Sequence, residues 1–228
     1  MPCCRTAETR WLRLSGNGMS WYIVFFLVSL LICLSSLANL LIVLVRTGDG
    51  IDYAPPSGSA GRGIQYSFTG AMSPSKKESA FLHLPTYTAG LAYHLGTFLS
   101  VFLVFLLLAD VVLPSSLAWG LAVLLMAATA CGLAILIKRM VKKGLRQLSN
   151  PDDYISNVLV TGLQLITALS LIPGVSLKPL LLTWAGILLL YIPLGKLKHL
   201  LYFFAARRQL GIFYGRRGVW PPSDNYKP

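Results

Sequence analysis

The feature that most constrains this chain is the length of its apolar runs. Crossing a ~30 Å hydrocarbon core takes about 20 helical residues. Five stretches approach or exceed that length: 21–45, 89–113, 117–137, 155–171 and 179–203. The fourth is the shortest and most polar. None alternates with period two, and backbone groups in lipid must be satisfied internally, so the pattern predicts helices and not a barrel. Leu113-Pro114-Ser115-Ser116 and Ile172-Pro173-Gly174 read as tight turns, and Asn150-Pro151-Asp152-Asp153 as a helix start with acidic residues in its first turn. The expected fold is all-α: one integral membrane bundle of five transmembrane helices over 1–228. A Gly-, Pro- and Ser-rich flexible loop is expected over 47–73, and a cytoplasmic tail over 204–228.

Composition agrees. The chain has 228 residues, 55% hydrophobic and 12% charged, against about 25% charged in a soluble domain, and its mean hydropathy is +0.65. Soluble enzymes, disordered chains and disulfide-stapled secreted domains fit poorly. The net charge of +12 would suggest nucleic acid in a soluble protein; in a membrane protein it reports orientation. With five spans, the segment 46–88 carries four Lys or Arg, 138–154 carries five and the region from Lys196 onward carries seven. Only Arg5, Arg10, Arg13 and Lys178 lie on the other side. This places the N-terminus outside and the C-terminus in the cytoplasm, against the local pull of the three arginines before the first span. Ser36-Leu37-Ala38 resembles a signal cleavage site, but the apolar run continues through Val45, so the first span reads as a retained helix. Cys33 and Cys131 read as packing residues, and the adjacent Cys3 and Cys4 as a weakly supported lipidation site.

There are three histidines. His83 precedes Pro85 and reads as interfacial. His94 and His199 lie in the second and fifth spans, each about 6–8 Å below the same face at the helical rise of about 1.5 Å per residue. Two imidazoles at one depth on two helices suit axial ligation of a haem iron, since bundle cofactor sites are built from facing helices. Structural hydrogen bonding is the competing reading. No Cys, Asp or Glu shares their depth to complete a zinc or non-haem iron site.

The stretch SPSKKESAFLHLPTYTAGLAYH over 73–94, Lys198-His199, and the tail GIFYGRRGVWPP over 211–222 together resemble the membrane cytochrome b family of the respiratory nitrate reductase gamma subunit. Related membrane subunits occur in heterodisulfide-reductase-like and sulfite-reductase-associated complexes. The resemblance covers roughly 73–222. It implies five helices, an external N-terminus, haem b, and electron transfer between membrane quinone and a cytoplasmic iron–sulfur partner subunit, in the cell inner membrane. Better-known members carry a second histidine pair deeper in the same helices. Here Val104 and residues such as Leu181 occupy those depths, so the resemblance implies a single-haem version with His94 and His199 as ligands.

A shallow haem favours a quinone site in the inner half of the membrane. Asn157, Thr161 and Gln164 share one helical face at i, i+4, i+7. They could bind quinone carbonyls, although interhelical hydrogen bonding stands ahead of that reading. Asp110 is the one acid in the apolar part of a span; proton transfer and snorkelling to the outer interface are its two readings, with snorkelling favoured. Lys196 and Lys198 are candidates for haem propionates, with the positive-inside rule as the plain alternative. Arg207, Arg208, Tyr214, Arg216, Arg217 and Trp220 in the tail are candidates for docking a cytoplasmic subunit; interfacial anchoring competes. The expected function is a haem b electron-transfer subunit, non-catalytic or quinone-reactive within an oxidoreductase complex. It would contact lipid, quinone and further subunits but no nucleic acid. The alternatives are a haem-free anchor or assembly subunit and a small transporter component, the last weakened by the absence of repeats and broken-helix signals.

Overall fold

A computed structural model describes residues 20–47, 53–73 and 83–222. Among these residues all regular structure is helical. The helices are α1 (Trp21–Thr47), α2 (Ala60–Phe68), α3 (Leu84–Leu108), α4 (Ser115–Val141), the short α5 (Lys143–Gln147), α6 (Pro151–Ser170), α7 (Lys178–Tyr191) and α8 (His199–Arg216). Single 3-10 turns lie at Gly70–Met72 and Lys196–Lys198. Local chemistry sets several starts. Proline occupies the first turn of α3, α6 and α7, where its missing N–H costs no helical bond. Asn150 closes a reciprocal capping box with Asp153 at the head of α6. Gly174, at φ +85°, takes the left-handed turn between α6 and α7 that a side chain would resist.

The bundle is built around α6. That helix packs on α3, α4 and α7, α3 packs on α4, and α1 lies along α7. Val160, Leu163 and Ile166 of α6 join Phe26, Val104, Leu181, Leu182, Ala185 and Leu188 in one apolar cluster. Ala168 joins Leu103, Ala118, Ala122 and Leu125 in another. Small residues set the spacing: a Cβ on Gly96 would fall 2.3 Å from the Cβ of Ala128, so α3 and α4 meet closely there. Large apolar side chains such as Val28, Leu31 and Leu34 of α1 face outward, as expected when the solvent is lipid.

Three helices (α1, α3 and α4) are long and apolar enough to cross a membrane; a fourth span is counted if α7 and α8 are taken together. The expected fifth span over 179–203 is not one straight helix. α7 ends at Tyr191, and the chain turns by 76° before α8. Pro193 has no N–H to continue the ladder, and the next turn closes through Gly195 N–H to the Tyr191 carbonyl at 2.9 Å. His199 therefore opens a new helix instead of sitting inside a span.

The expected flexible loop over 47–73 is also corrected. It contains α2, whose Ser59 side chain accepts the Arg62 N–H and which packs along α8. Gly63 meets Gly211 and Gly215, and Ser67 Oγ donates to the Arg207 carbonyl at 2.7 Å. Small residues at i, i+4 spacing let the two backbones touch.

Candidate functional site

Of the two intramembrane histidines of the sequence reading, His199 lies at the end of the bundle where the basic residues gather, while His94 lies ten residues inside α3, next to Tyr93, which meets Gly132 of α4 and Asn157 of α6. His94 sits on α3 with its side chain outside the packed core, while its neighbour Tyr93 turns inward. The Tyr93 hydroxyl donates to the Asn157 carbonyl at 3.2 Å, and Thr161 Oγ1 lies 3.2 Å from the same hydroxyl and 3.1 Å from Asn157 Oδ1. Gln164 Nε2 donates to the Tyr93 carbonyl and to Thr97 Oγ1, each at 2.9 Å. Asn157 Nδ2 reaches the Gly132 carbonyl on α4 at 3.4 Å. The polar stripe read as a quinone candidate thus fixes α3 and α4 to α6; Gln164 is fully buried, and its Oε1 has no hydrogen-bond partner among the described residues. Inward-facing Tyr93 leaves His94 pointing away from α6.

His199 begins α8. Its Nδ1 is 2.7 Å from the Lys196 carbonyl. A carbonyl only accepts, so Nδ1 carries the proton and Nε2 of the neutral ring keeps its lone pair. His199 is exposed within the chain and close enough to His94 for the charge of one ring to act on the other. Gly90, one turn before His94 on the same side of α3, has open space where a Cβ would stand.

What the sequence reading missed is the anchor of this turn. The Asp152 carboxylate accepts the Lys196 backbone N–H at 2.7 Å. Asp153 Oδ1 lies 2.7 Å from Lys196 Nζ and 3.0 Å from Arg139 Nη1. Burial works to raise the Asp153 carboxyl. The hydrogen bonds from Lys196 and the Asn150 backbone, with the charges of Arg139 and Lys196, outweigh it and hold the group below the ordinary carboxylate range. The two acids were legible only as helix-start residues. Their second role depends on α4 and the 196–198 turn meeting the head of α6. Lys196 is therefore committed to Asp153, while Lys198 makes no ion pair among the described residues.

Asp110 falls past the end of α3, not inside a span. At φ +54° it faces outward and pairs with Lys178 at 2.6 Å, while the lysine also reaches the Leu108 carbonyl at 3.3 Å. Two open clefts of about 240 and 350 Å³ border this opposite end, lined by Leu107, Val111, Ser170 and Val175 among others. Neither is lined by a histidine.

In the tail, several docking candidates are used within the chain. Trp220 packs on Tyr214 and Tyr66, with ring centroids 4.7 and 5.7 Å away. The Arg207 guanidinium rests against Met72 and 6.0 Å from the Phe203 ring. The Arg216 carbonyl accepts from the Ser57 and Gly58 N–H groups, and Arg217 stacks 3.7 Å above Phe213. Arg208 is exposed. Cys33 is buried and Cys131 partly so, both as free thiols; Cys3, Cys4, Lys76 and Lys77 lie outside the described residues.

Comparison with family models, curated proteins and solved structures returned no match to this chain.

Proposed function

We propose that this chain is a membrane cytochrome b subunit, holding one haem b between His94 and His199. It passes electrons between membrane quinone and a cytoplasmic iron–sulfur partner subunit in the cell inner membrane. The observation that carries this reading is a pair of exposed histidines on two separate helices, with the ring of His199 fixed through Nδ1 by the Lys196 carbonyl. The residues present fit the group. Among the described residues no three His, Cys, Asp or Glu side chains cluster, so a metal held here needs most of its ligands from elsewhere, and a porphyrin brings four nitrogens of its own. Nε2 of His199 is kept available by the Nδ1–H bond to Lys196, a usual arrangement for a metal-ligating imidazole. The open surface at Gly90 leaves room beside His94 for a flat macrocycle. Lys198 is the better placed of the two lysines to meet a propionate, since Lys196 already serves Asp153. Bound haem supplies one-electron redox chemistry. The chain's own part is to present two imidazoles and fix their orientation.

Five spans are retained in this reading, with the N-terminus outside. α6 is counted because its neighbours sheathe it, so its polar residues need not meet lipid. α7, 14 residues and about 21 Å long, is taken together with the turn at 192–198 as the last span, and α8 departs from it on the cytoplasmic side. Asn157, Thr161 and Gln164 are assigned here to holding the bundle together instead of to quinone, since most of their hydrogen bonds lie within it.

Reduced-minus-oxidised visible spectra of the purified protein test the proposal. A b-type signal in wild type and its loss in His94→Ala and His199→Ala are expected. A protein that takes up no haem would instead be an anchor or assembly subunit, and an unchanged spectrum in His199→Ala would refute the ligand assignment.

A further inference from the structure

The feature left unused by the haem site is the open face of α8. The helix leaves α7 at 76°, so if α7 crosses a bilayer, α8 runs close to the membrane plane. Its 18 residues extend about 27 Å at 1.5 Å per residue. Its two sides differ in what covers them. Gly211 and Gly215 are buried against α2: a Cβ on Gly63 would lie 2.2 Å from the Gly211 carbonyl oxygen, and one on Gly215 2.6 Å from that of Ser59. The other side carries His199, Tyr202, Ala206, Leu210 and Phe213, whose spacings of three and four place them in one stripe. Every residue of that stripe is exposed within the chain.

The stripe begins at His199, on the side of α8 that α2 leaves uncovered. α2 covers the glycine side and leaves Arg62 and Gln65 exposed. One arginine accompanies the stripe: Arg217, in register with it, stacks on Phe213, whereas Arg208 falls toward the glycine side. An aromatic and aliphatic stripe that ends on an arginine, on a helix set across a span, matches the boundary between headgroups and acyl chains in an anionic leaflet.

We propose that α8 is an interfacial helix, seated by this stripe in the cytoplasmic leaflet on anionic phospholipid, with α2 as its water-side cover. The inference rests on α7 being a membrane span and does not depend on haem. The test uses the full chain with Cys3, Cys4, Cys33 and Cys131 replaced and single spin-labelled cysteines at Ala206, Leu210, Gln65 and Val28. Each protein is reconstituted in vesicles of phosphatidylcholine with or without phosphatidylglycerol.

With phosphatidylglycerol, labels at 206 and 210 should collide with oxygen more than with a water-soluble nickel chelate, at a depth of about 5–10 Å. The label at 65 should show the reverse preference. Omitting phosphatidylglycerol should raise nickel access to the stripe several-fold; equal access in both lipids overturns the anionic-lipid assignment. Water-exposed labels at 206 and 210 beside a lipid-exposed label at 28 overturn the seating of α8 while keeping the membrane bundle. Shielding that arises only on adding a soluble protein fraction overturns it in favour of a protein partner. A water-exposed label at 28 removes the span reading and this inference with it.

Discussion

Replacing Asp153 with asparagine tests how the histidine-bearing turn is held. The substitution keeps an oxygen that can accept the Asn150 N–H but removes the charge facing Arg139 and Lys196. The aspartate side chain is only 11% exposed, whereas those of its partners are 35% and 50% exposed. Solvent therefore screens both pairs, each is worth about 0.2–1 kcal/mol, and the loss should total about 0.5–2 kcal/mol. At roughly 2–4 °C per kcal/mol for a chain of this size, thermal melts in detergent should read a drop of a few degrees. Asp153→Ala also forfeits the capping box and should cost about 1 kcal/mol more. The pH dependence separates this account from a generic defect. A carboxyl held below its ordinary range contributes its full stabilisation above the unfolded value of about 3.9 and loses it as pH falls through the lower folded value. The gap between wild type and Asp153→Asn should be constant near neutrality and close below about pH 4. A variant that melts with wild type at pH 7, or a gap that survives acidification, would refute the reasoning. Under the proposed function, the same variant should retain haem less well, because the loosened turn supplies the carbonyl that orients His199.

Two further substitutions probe the bundle. Gly96→Ala drives a methyl into Ala128 and should destabilise by about 1–3 kcal/mol, as overpacking does; adding Ala128→Gly should restore most of the loss in the same melts, and no recovery would mean the helices do not meet there. Asp110→Gly should change the melting temperature little, because relief of a left-handed backbone, worth about 1–2 kcal/mol, opposes loss of a mostly exposed ion pair; a large drop would show that the Lys178 contact is stronger than its exposure suggests.

The apolar runs made the long helices legible, and Asn150, Pro151 and Gly174 marked boundaries where backbone chemistry alone decides. The break after Tyr191 was harder to read. Ile192 and Leu194 keep hydropathy high through it, and only Pro193 and Gly195 mark the interruption. α2 was missed for the opposite reason. Gly61 and Gly63 read as loop by helix propensity, yet Gly63 lets the segment lie on α8, so tertiary packing supplies what local preference lacks. The equal depth of the two histidines rested on a second span starting at residue 89 and a straight fifth span, whereas the helix starts at Leu84 and the last span breaks after Tyr191. The acids that anchor their turn could not be paired from sequence, because Arg139, Asp153 and Lys196 come together only through three separate elements.

The sheathing of α6 also bears on how the chain is made. A segment headed by Asp152 and Asp153 and carrying Asn157 and Gln164 is a poor candidate to partition into lipid alone, because polar residues raise the cost of insertion. Its hydrogen-bonding partners Tyr93, Thr97 and Gly132 emerge from the ribosome earlier, on α3 and α4, whereas Trp184 of α7, which donates to the Leu159 carbonyl, emerges later. Order of synthesis thus favours α6 settling against a waiting helix pair, with α7 closing the remaining side. Biogenesis would then hinge on the least apolar of these packed helices emerging after the α3–α4 pair that shelters it.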